Sequence, residues 1–538
     1  MRKLIAQTVL LFVISLAGCK FFSSREDEVI TDTSINKLTS FNSLFLDSIK
    51  IAQFLLHHKE FKSFKQQYFD FYKERNYQYA WFDTLGLAEQ SHNFINLLND
   101  AISKNEDSNL YNSSLYTLYN SLNKTKARKA KRDDVLNTEL YFTGQFFLYA
   151  SKEFKGSDVD SKDLGWFIPR KKINLTALLD STITTKTKQP ENFISLNSQY
   201  YKLQDFLIKY KNIAKETSWD TVAYPAKFFK KGTRDERITT IKQKLFLLGD
   251  LPEKDSSTIY DTALLSAVKK FQKRFGLSPD GVIGKDFLRE LNIKPKQRIE
   301  QLLVNMERSR WMPAESDSNY IMVNIPEYKL HIYDSGKQVM EMPVIVGKAT
   351  SGTVIFTSKL RYIVFSPYWL VPPSIVKKEI LPEMKKDKEY LLKNNMEIFG
   401  KDDSLPHIRQ KPGGNNSLGL VKFLFPNNYD IYFHDTPNHD LFTASNRSFS
   451  HGCIRLGEPK KFAQYLLRAD TAKIWKSNII DSCMHLQKER WVDVKKPIPV
   501  FIVYFTAWID RDGELNFRKD IYEHDKRMSE KLFAAKSE

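Results

Sequence analysis

Residues 450–456 read Ser-His-Gly-Cys-Ile-Arg-Leu, and they lie in a part of the chain whose residue pattern is that of short β-strands. A cysteine is a useful nucleophile only as a thiolate, so it needs a neighbouring base or a positive field. Two histidines are available to Cys453. His451 lies two residues before it, and His434 ends a β-type run, with fifteen residues between it and the quoted stretch. The stretch therefore predicts a cysteine nucleophile served by a histidine base, held in a β-rich domain.

Two other residues of the stretch have a predicted role. Gly452 places no side chain beside the nucleophile, so the backbone can approach a substrate closely and offer an N–H group to an oxyanion. Arg455 adds a fixed positive charge, either for the thiol or for a substrate carboxylate.

The β-type pattern begins after Pro313, and it predicts a domain over residues 316–538. Asp334-Ser335-Gly336 and Asp512-Gly513 are typical of hairpin turns. The β-type runs are 320–325, 329–333, 339–346, 361–365, 420–425, 430–434 and 500–508.

A charged, partly helical segment at residues 372–419 interrupts these runs. It contains Gln-Lys-Pro-Gly-Gly at 410–414, which indicates a flexible loop. Long insertions in compact domains are usually functional or disordered. We interpret this one as a cap or lid over the active site, with a passive surface excursion as the alternative.

The preceding half of the chain has a helical pattern. Residues 36–233 are predicted to form a helical scaffold whose aromatic residues are core. Residues 234–294 form a small three-helix unit, with Gly249 able to end its first helix and Asp-Gly-Val-Ile-Gly at 280–284 as a turn. A helix over 295–315 links it to the β-rich domain. The predicted fold class is thus multidomain α+β.

The N-terminus is predicted to be an export signal. Arg2 and Lys3 precede an apolar run that is too short to span a bilayer comfortably, and Leu-Ala-Gly-Cys at 16–19 resembles a bacterial lipobox. Residues 1–18 would be removed, Cys19 would carry the lipid, and 19–35 would be a tether. This places the mature protein in the periplasm or cell envelope, anchored to a membrane.

The net charge limits the classes of binding partner that the sequence predicts. Lys and Arg exceed the acids by 18, which suits a polyanionic partner. Zinc-finger spacing, RNP-type aromatics and a basic arm are all missing, so no nucleic acid is expected.

Two cysteines remain apart from Cys19. Either Cys453 and Cys483 form one disulfide bridge, or one of them is a reactive thiol and the other a core residue. No metal and no cofactor are expected.

The combined string, His434, fifteen residues and then Ser-His-Gly-Cys, resembles the L,D-transpeptidase (YkuD-type) catalytic domain. The resemblance extends to the large YcbB-like branch, which has a helical scaffold, a peptidoglycan-binding module and a capped catalytic domain in this order. The stretches that carry it are Met-Glu-Arg at 306–308, Trp311, Val-Asn-Ile-Pro at 323–326, Pro-Tyr-Trp at 367–369, Val-Pro-Pro-Ser at 371–374, Lys-Phe-Leu-Phe-Pro at 422–426, His-Asp-Thr-Pro at 434–437 and Thr-Ala-Trp at 506–508. The three-helix unit similarly resembles the peptidoglycan-binding module.

The resemblance implies acyl transfer between peptidoglycan stem peptides. Cys453 would attack the carbonyl of the third stem residue and release the terminal D-Ala. The side-chain amine of another stem would then resolve the thioester, and carbapenems would acylate the same thiol. His434 would be the general base and His451 a supporting residue. Trp369, Tyr432 and Asp435 are candidate substrate-binding residues, whereas His407, His439 and Cys483 are expected to be structural or surface positions.

Two alternatives stay open on the sequence. An L,D-carboxypeptidase or amidase of the same fold would use the same nucleophile with water as the acceptor. A non-catalytic wall-binding lipoprotein would need no catalytic residues, whereas the cysteine, both histidines and the arginine of the predicted site are all present.

Overall fold

The computed structural model describes residues 44–83, 85–105, 108–124, 130–157, 159–170, 172–184, 197–313, 319–402, 405–470 and 474–533. Its contacts divide the chain into two units, residues 1–155 with 173–194 and residues 156–172 with 195–538. The predicted signal, the tether and Cys19 lie outside the described residues. Within the described residues, no helix has the length and apolar character needed to cross a membrane.

The first unit is helical, as predicted, and its core is aromatic. Phe61, Tyr68 and Trp81 are fully buried, so these rings are core residues and not a cofactor site. The elements are α1 (Ser48–His57), α2 (Lys65–Glu74), a short hairpin of β1 (Phe82–Asp83) and β2 (Gly86–Leu87), α3 (Glu89–Asn105), α4 (Ser113–Lys124), α5 (Arg132–Ala150) and α6 (Leu175–Thr184), with 3₁₀ turns at Lys59–Phe64 and Ser108–Leu110 and a π turn at Ser151–Lys155.

A buried carboxylate organises this core. Glu139 of α5 accepts hydrogen bonds from the N–H groups of Ala80 (2.7 Å) and Trp81 (2.9 Å) and from the Tyr72 hydroxyl (2.8 Å). Burial nevertheless raises the pKa of Glu139 to about 7, because desolvation penalises the charged form more than these donors favour it.

The first prediction follows from Glu139. In the unfolded chain this carboxyl ionises near its ordinary pKa, so between about pH 4.5 and 7 the folded state holds a proton that the unfolded state has lost. Stability should therefore fall as pH rises through this window, by roughly 3 kcal/mol at most. Thermal unfolding at pH 5 and pH 7 should show a smaller loss in Glu139→Gln than in wild type or in the exposed-residue control Glu89→Gln. An equal loss in all three proteins would contradict this account.

The second unit begins with helices. Ile238, Ile241 and Leu245 are buried on one face of the first helix (Arg237–Leu248) of the predicted three-helix unit. Gly249 ends this helix in a left-handed conformation (φ 87°), as the sequence predicted. The helices are α7 (Ser198–Glu216), α8 (Arg237–Leu248), α9 (Thr262–Arg274), α10 (Lys285–Leu291) and α11 (Pro295–Trp311), preceded by a 3₁₀ turn at Lys162–Leu164.

The β-rich domain is built on a sheet that closes on itself. Strand β5 (Lys337–Gly347) pairs on one side with β13 (Ile454–Leu456) and on the other with β4 (Lys329–Asp334). With the ranges given below, neighbouring strands follow in the order β5-β13-β11-β10-β6-β14-β3-β4, and the last of these pairs with β5 again. Strand β12 pairs with the end of β5. Side chains such as Val323, Ile363 and Phe423 fill the interior. The strands are β3 (Tyr320–Asn324), β4 (Lys329–Asp334), β5 (Lys337–Gly347), β6 (Phe356–Phe365), β10 (Val421–Leu424), β11 (Phe433–His434), β12 (Ser448–Ser450), β13 (Ile454–Leu456) and β14 (Arg490–Val503), with a separate pair β15 (Ala507–Ile509) and β16 (Leu515–Phe517).

Both predicted hairpin turns are present. Ser335 (φ 53°) and Gly336 (φ 74°) join β4 to β5, and the β15–β16 turn contains Gly513 at φ 78°. Helices and 3₁₀ turns cover the sheet. They are α15 (Pro459–Leu467), α16 (Ser477–Met484) and α17 (His524–Phe533), with 3₁₀ turns at Ile325–Glu327, Ala349–Ser351 and His439–Thr443.

The insertion at 372–419 contains more β structure than the sequence predicted. Strands β8 (Met396–Asp402) and β9 (Leu405–Gln410) form a hairpin, and β7 (Trp369–Leu370) adds a third strand. A small apolar core of Val371, Val376, Ile380 and Ile408 lies beneath it. The helical part is α12 (Pro373–Ile375), a π turn at Val376–Ile380, α13 (Leu381–Lys386) and α14 (Tyr390–Lys393).

Side-chain hydrogen bonds connect the loop predicted at 410–414 to neighbouring segments, and its flexibility stays a prediction. Asn416 donates to the carbonyl oxygens of Pro367 (3.1 Å) and Lys411 (2.9 Å), and Gln410 donates to Asn394 O (3.0 Å). The insertion is thus a small folded subdomain with its own core.

Candidate active site

The parallel pairing of β11 with β13 brings the predicted site residues together. His434 lies opposite Arg455 and Phe433 opposite Ile454, and the Ile454 N–H donates to Tyr432 O (3.1 Å). Side chains alternate along a strand, so Phe433 and Ile454 enter the buried core while their neighbours project from the other face. The residues of that other face are Tyr432, His434, Cys453 and Arg455.

The turn that carries the nucleophile is fixed by hydrogen bonds. The Ser450 hydroxyl donates to Cys453 O (2.5 Å) and accepts from the Gly452 N–H (3.1 Å), which explains the serine of the quoted stretch. Gly452 has φ 124°, a conformation that other residues adopt only with strain.

Thr353 sets the direction of the peptide group next to Cys453. Its hydroxyl donates to Gly452 O (2.8 Å) and accepts from the Gly347 N–H (3.0 Å). In a trans peptide the C=O and the following N–H point in opposite directions. The Cys453 N–H therefore points away from Thr353 and can serve as an oxyanion donor beside the thiol. The Gly452 N–H, the donor expected from the sequence, instead donates to the Ser450 hydroxyl.

Cys453 carries a free, partly exposed thiol. Its S–H donates to Asp430 O at 3.5 Å, and Asp430 is held in a left-handed conformation (φ 54°). Burial raises the pKa of the Cys453 thiol and the nearby Asp430 carboxylate adds to this, whereas Tyr432 and Arg455 favour the thiolate. The resting nucleophile is therefore a thiol.

His434 is buried and neutral. Its Nδ1 donates to Asp435 O (2.5 Å), an assignment that leaves Nε2 as the acceptor a general base requires. Burial lowers the pKa of His434 to about 3, and the Arg455 charge acts in the same direction. Among the described residues no hydrogen bond joins Cys453 to His434, and such bonds are often long before substrate binds.

Arg455 is a partly buried cation without a carboxylate partner among the described residues, and its Nε makes no hydrogen bond. Burial lowers the pKa of this guanidinium, and proximity to Cys453 opposes that change. An unpaired cation beside a thiol can stabilise a thiolate, an oxyanion or a substrate carboxylate.

His451 is exposed and faces the insertion. Its Nε2 lies 3.3 Å from Glu379 Oε1 in the π turn Val376–Ile380. The insertion thus contacts the nucleophile turn directly. A supporting role for His451 toward the substrate stays a prediction.

The three candidate substrate-binding residues occupy different positions. The Tyr432 ring lies beside His434, with 5.7 Å between ring centroids. Trp369 of β7 is half-buried and packs against the core of the insertion. The Asp435 carboxylate accepts from the N–H groups of Leu420 (2.9 Å) and Thr436 (2.7 Å), so its contacts stabilise the loop. Substrate contacts by all three stay predictions.

The positions expected to be structural behave in that way. Cys483 is buried and unpaired, so Cys453 and Cys483 do not form a bridge in this structure. His407 and His439 are exposed and lie 2.7 Å and 3.6 Å from Asp402 and Asp435. No cluster of three His, Cys, Asp or Glu residues suited to a metal occurs in the described part of the chain.

Sequence reasoning missed Asp430, Thr353 and Glu379. Asn427-Asn428-Tyr429-Asp430 between two β-type runs is a turn pattern that could have placed Asp430 in a left-handed conformation. The contacts of Thr353 and Glu379 are between distant parts of the chain, and the sequence gives no local signal for them.

The second prediction concerns the protonation state of the resting site. Because Cys453 is a thiol and His434 is neutral, alkylation of Cys453 by iodoacetamide should rise steadily from pH 6 to pH 9. A preformed thiolate–imidazolium pair would give a plateau at lower pH. Rates should be measured by mass spectrometry, with Cys453→Ala as the background and Cys483→Ala as the matched control. A pH-independent plateau between pH 5 and 7 would contradict this assignment.

Comparisons with known proteins match three parts of the chain. The L,D-transpeptidase catalytic domain family matches residues 318–475. A scaffold domain family matches 66–207, and a family described as "Putative peptidoglycan binding domain" matches 234–291.

A "Putative L,D-transpeptidase" of Haemophilus influenzae is 32% identical over 246 residues, covering 43% of this chain and 49% of that protein. The match thus spans about half the length of this relative. Among solved structures, an L,D-transpeptidase from Xylanimonas cellulosilytica (14% identity, 52% of this chain and 100% of that one, TM-score 0.18) and one from Stackebrandtia nassauensis (14%, 52% and 97%, TM-score 0.23) are similar. Residues 318–475 thus match the L,D-transpeptidase catalytic domain family, and residues 234–291 match a putative peptidoglycan-binding domain family.

Proposed function

We propose that this protein is a peptidoglycan L,D-transpeptidase that joins third-position stem-peptide residues through a thioester on Cys453. The observation that supports this most directly is the shared face of β11 and β13. It presents a thiol, a neutral imidazole with Nε2 free to accept a proton, and the unpaired Arg455 guanidinium.

In the acylation step, the thiol proton passes to His434 Nε2 while Sγ bonds to the carbonyl carbon of the third stem residue. The N–H of Cys453 stabilises the oxyanion, with Thr353 holding that peptide in position. The peptide C–N bond then breaks, and the departing D-Ala amine takes the proton from His434.

In the transfer step, the side-chain amine of an acceptor stem attacks the thioester carbonyl and gives a proton to His434. The C–S bond breaks, and Cys453 recovers its proton. Arg455 supplies a charge-assisted contact for a substrate carboxylate.

The insertion supports transfer over hydrolysis. It is folded, and Glu379 within it contacts His451 of the nucleophile turn at 3.3 Å. As a lid over the donor cleft it would exclude water, the nucleophile that converts transfer into hydrolysis. Cys19 lipidation would hold the enzyme at a membrane of the cell envelope, within reach of its substrate.

The third prediction tests the reaction. Tetrapeptide-bearing sacculi incubated with the protein should yield cross-linked dimers by muropeptide mass spectrometry, in Cys483→Ala as in wild type but not in Cys453→Ala. A carbapenem should add once to the same two active proteins and not to Cys453→Ala. Tripeptide without dimers would identify a hydrolase, and unchanged muropeptides would identify a binding protein.

A further inference from the structure

A short segment of the scaffold region belongs to the second unit. The described residues 159–170 are grouped with the second unit, and Trp166 and Phe167 among them contact the β-rich domain. Trp166 is buried against Trp311 and Phe505, with ring centroids 5.7 Å and 6.1 Å apart. The Phe167 N–H donates to Ile355 O (2.9 Å), which fixes the segment beside the start of β6.

This anchoring leaves one aromatic ring at the surface. Phe167 stacks at a tilt on Tyr429, with centroids 5.5 Å apart, and both side chains are 38% exposed. Tyr429 also packs on Phe356 at 4.9 Å. Tyr429 directly precedes Asp430, whose carbonyl accepts the Cys453 S–H, so a single chain segment connects the aromatic pair to the nucleophile contact.

A groove of about 730 Å³ lies along β6, and its lining includes Ile168 and Pro169, which directly follow Phe167 in the chain. Thr357 of its wall follows Phe356, and the Ser358 hydroxyl donates to Pro426 O (2.7 Å). Lys359 and Arg361 are exposed in the groove and have no ion-pair partner among the described residues. Ile168, Pro169, Pro499 and Phe501 complete the apolar part of the lining.

We infer that the Phe167–Tyr429 pair and this groove bind the glycan strand of the donor, a substrate class that rests on the proposed function. Sugar rings present an apolar face that suits an aromatic surface and a polar rim that suits the hydroxyls of Thr357 and Ser358. Stem peptides carry carboxylates, and the charges of Lys359 and Arg361 complement them. The groove is large enough for a small oligosaccharide, since ligand sites typically measure about 300–1,000 Å³.

The test compares two donors, a tetrapeptide on a short chain of disaccharides and the same tetrapeptide without sugar. The ratio of their kcat/KM values should exceed one in wild type. It should fall about tenfold in Phe167→Ala, the equivalent of losing one aromatic contact. Lys359→Ala, at an exposed strand position, should lower kcat/KM for both donors and leave their ratio unchanged, because both donors carry the stem carboxylates that this charge complements. Tyr111→Ala removes a comparable exposed, stacked ring of the helical unit and is the matched control.

The outcomes separate the two proposals. If neither donor is turned over by wild type, the proposed function fails. If wild type turns over both, and the ratio in Phe167→Ala is the same as in wild type and Tyr111→Ala, the glycan site is wrong. Stem-free glycan should also bind Cys453→Ala protein, and Phe167→Ala in that background should weaken the binding by a similar factor. Equal binding in the two proteins would overturn the inference.

Discussion

The register of the parallel pair β11–β13 is the constraint on which the active site depends. It sets His434 opposite Arg455 and carries Cys453 onto the same face as both. A slip of one residue would turn these side chains into the core and expose Phe433 and Ile454, which are fully buried. Arg447 reinforces the arrangement, because its guanidinium donates to the carbonyl oxygens of Val344 (3.2 Å), Ala444 (2.9 Å) and Tyr328 (3.0 Å) where the chain enters β12.

Burial determines the electrostatics of this face. Desolvation raises the pKa of the Cys453 thiol and lowers that of His434 to about 3, so both groups rest without charge. Arg455 is the exception, a cation with no carboxylate near it in the described residues. Leaving a charge unpaired is costly. A substrate carboxylate or a developing oxyanion would relieve that cost, so the charge favours the bound and reacting states.

Much of this was predictable, and the reasons are local. The alternation of Tyr432, Phe433 and His434 indicates a strand, and the turn residues of β4–β5 and β15–β16 specify left-handed conformations. The apolar spacing of α8 likewise indicates a helix that ends at Gly249. The fold class was therefore predicted correctly, and of the predicted site residues the β11–β13 pairing sets His434 opposite Arg455.

The features that the sequence did not predict depend on tertiary contacts or on strands of mixed polar and apolar composition. The first half of β14 reads Arg-Trp-Val-Asp-Val-Lys-Lys-Pro, with four charged residues among eight. Its pairing with β6 shifts register between Asp493 and Ile498, next to two prolines. Strands β8 (Met396–Asp402) and β9 (Leu405–Gln410) mix polar and apolar residues without a strict alternation, so their pairing was not apparent. The contact of Glu379 with His451 joins residues 72 positions apart in the chain, and only the fold reveals it.

The central claim is that Cys453 itself carries the acyl group. It is tested most directly by mixing the protein with a stem tetrapeptide, quenching in acid and locating the adduct by mass spectrometry of proteolytic fragments. The account predicts a mass increase equal to the tetrapeptide less D-Ala, confined to the fragment that contains residues 450–456 and absent from Cys453→Ala. Release of D-Ala at the wild-type rate by Cys453→Ala, or an adduct on another residue, would contradict it.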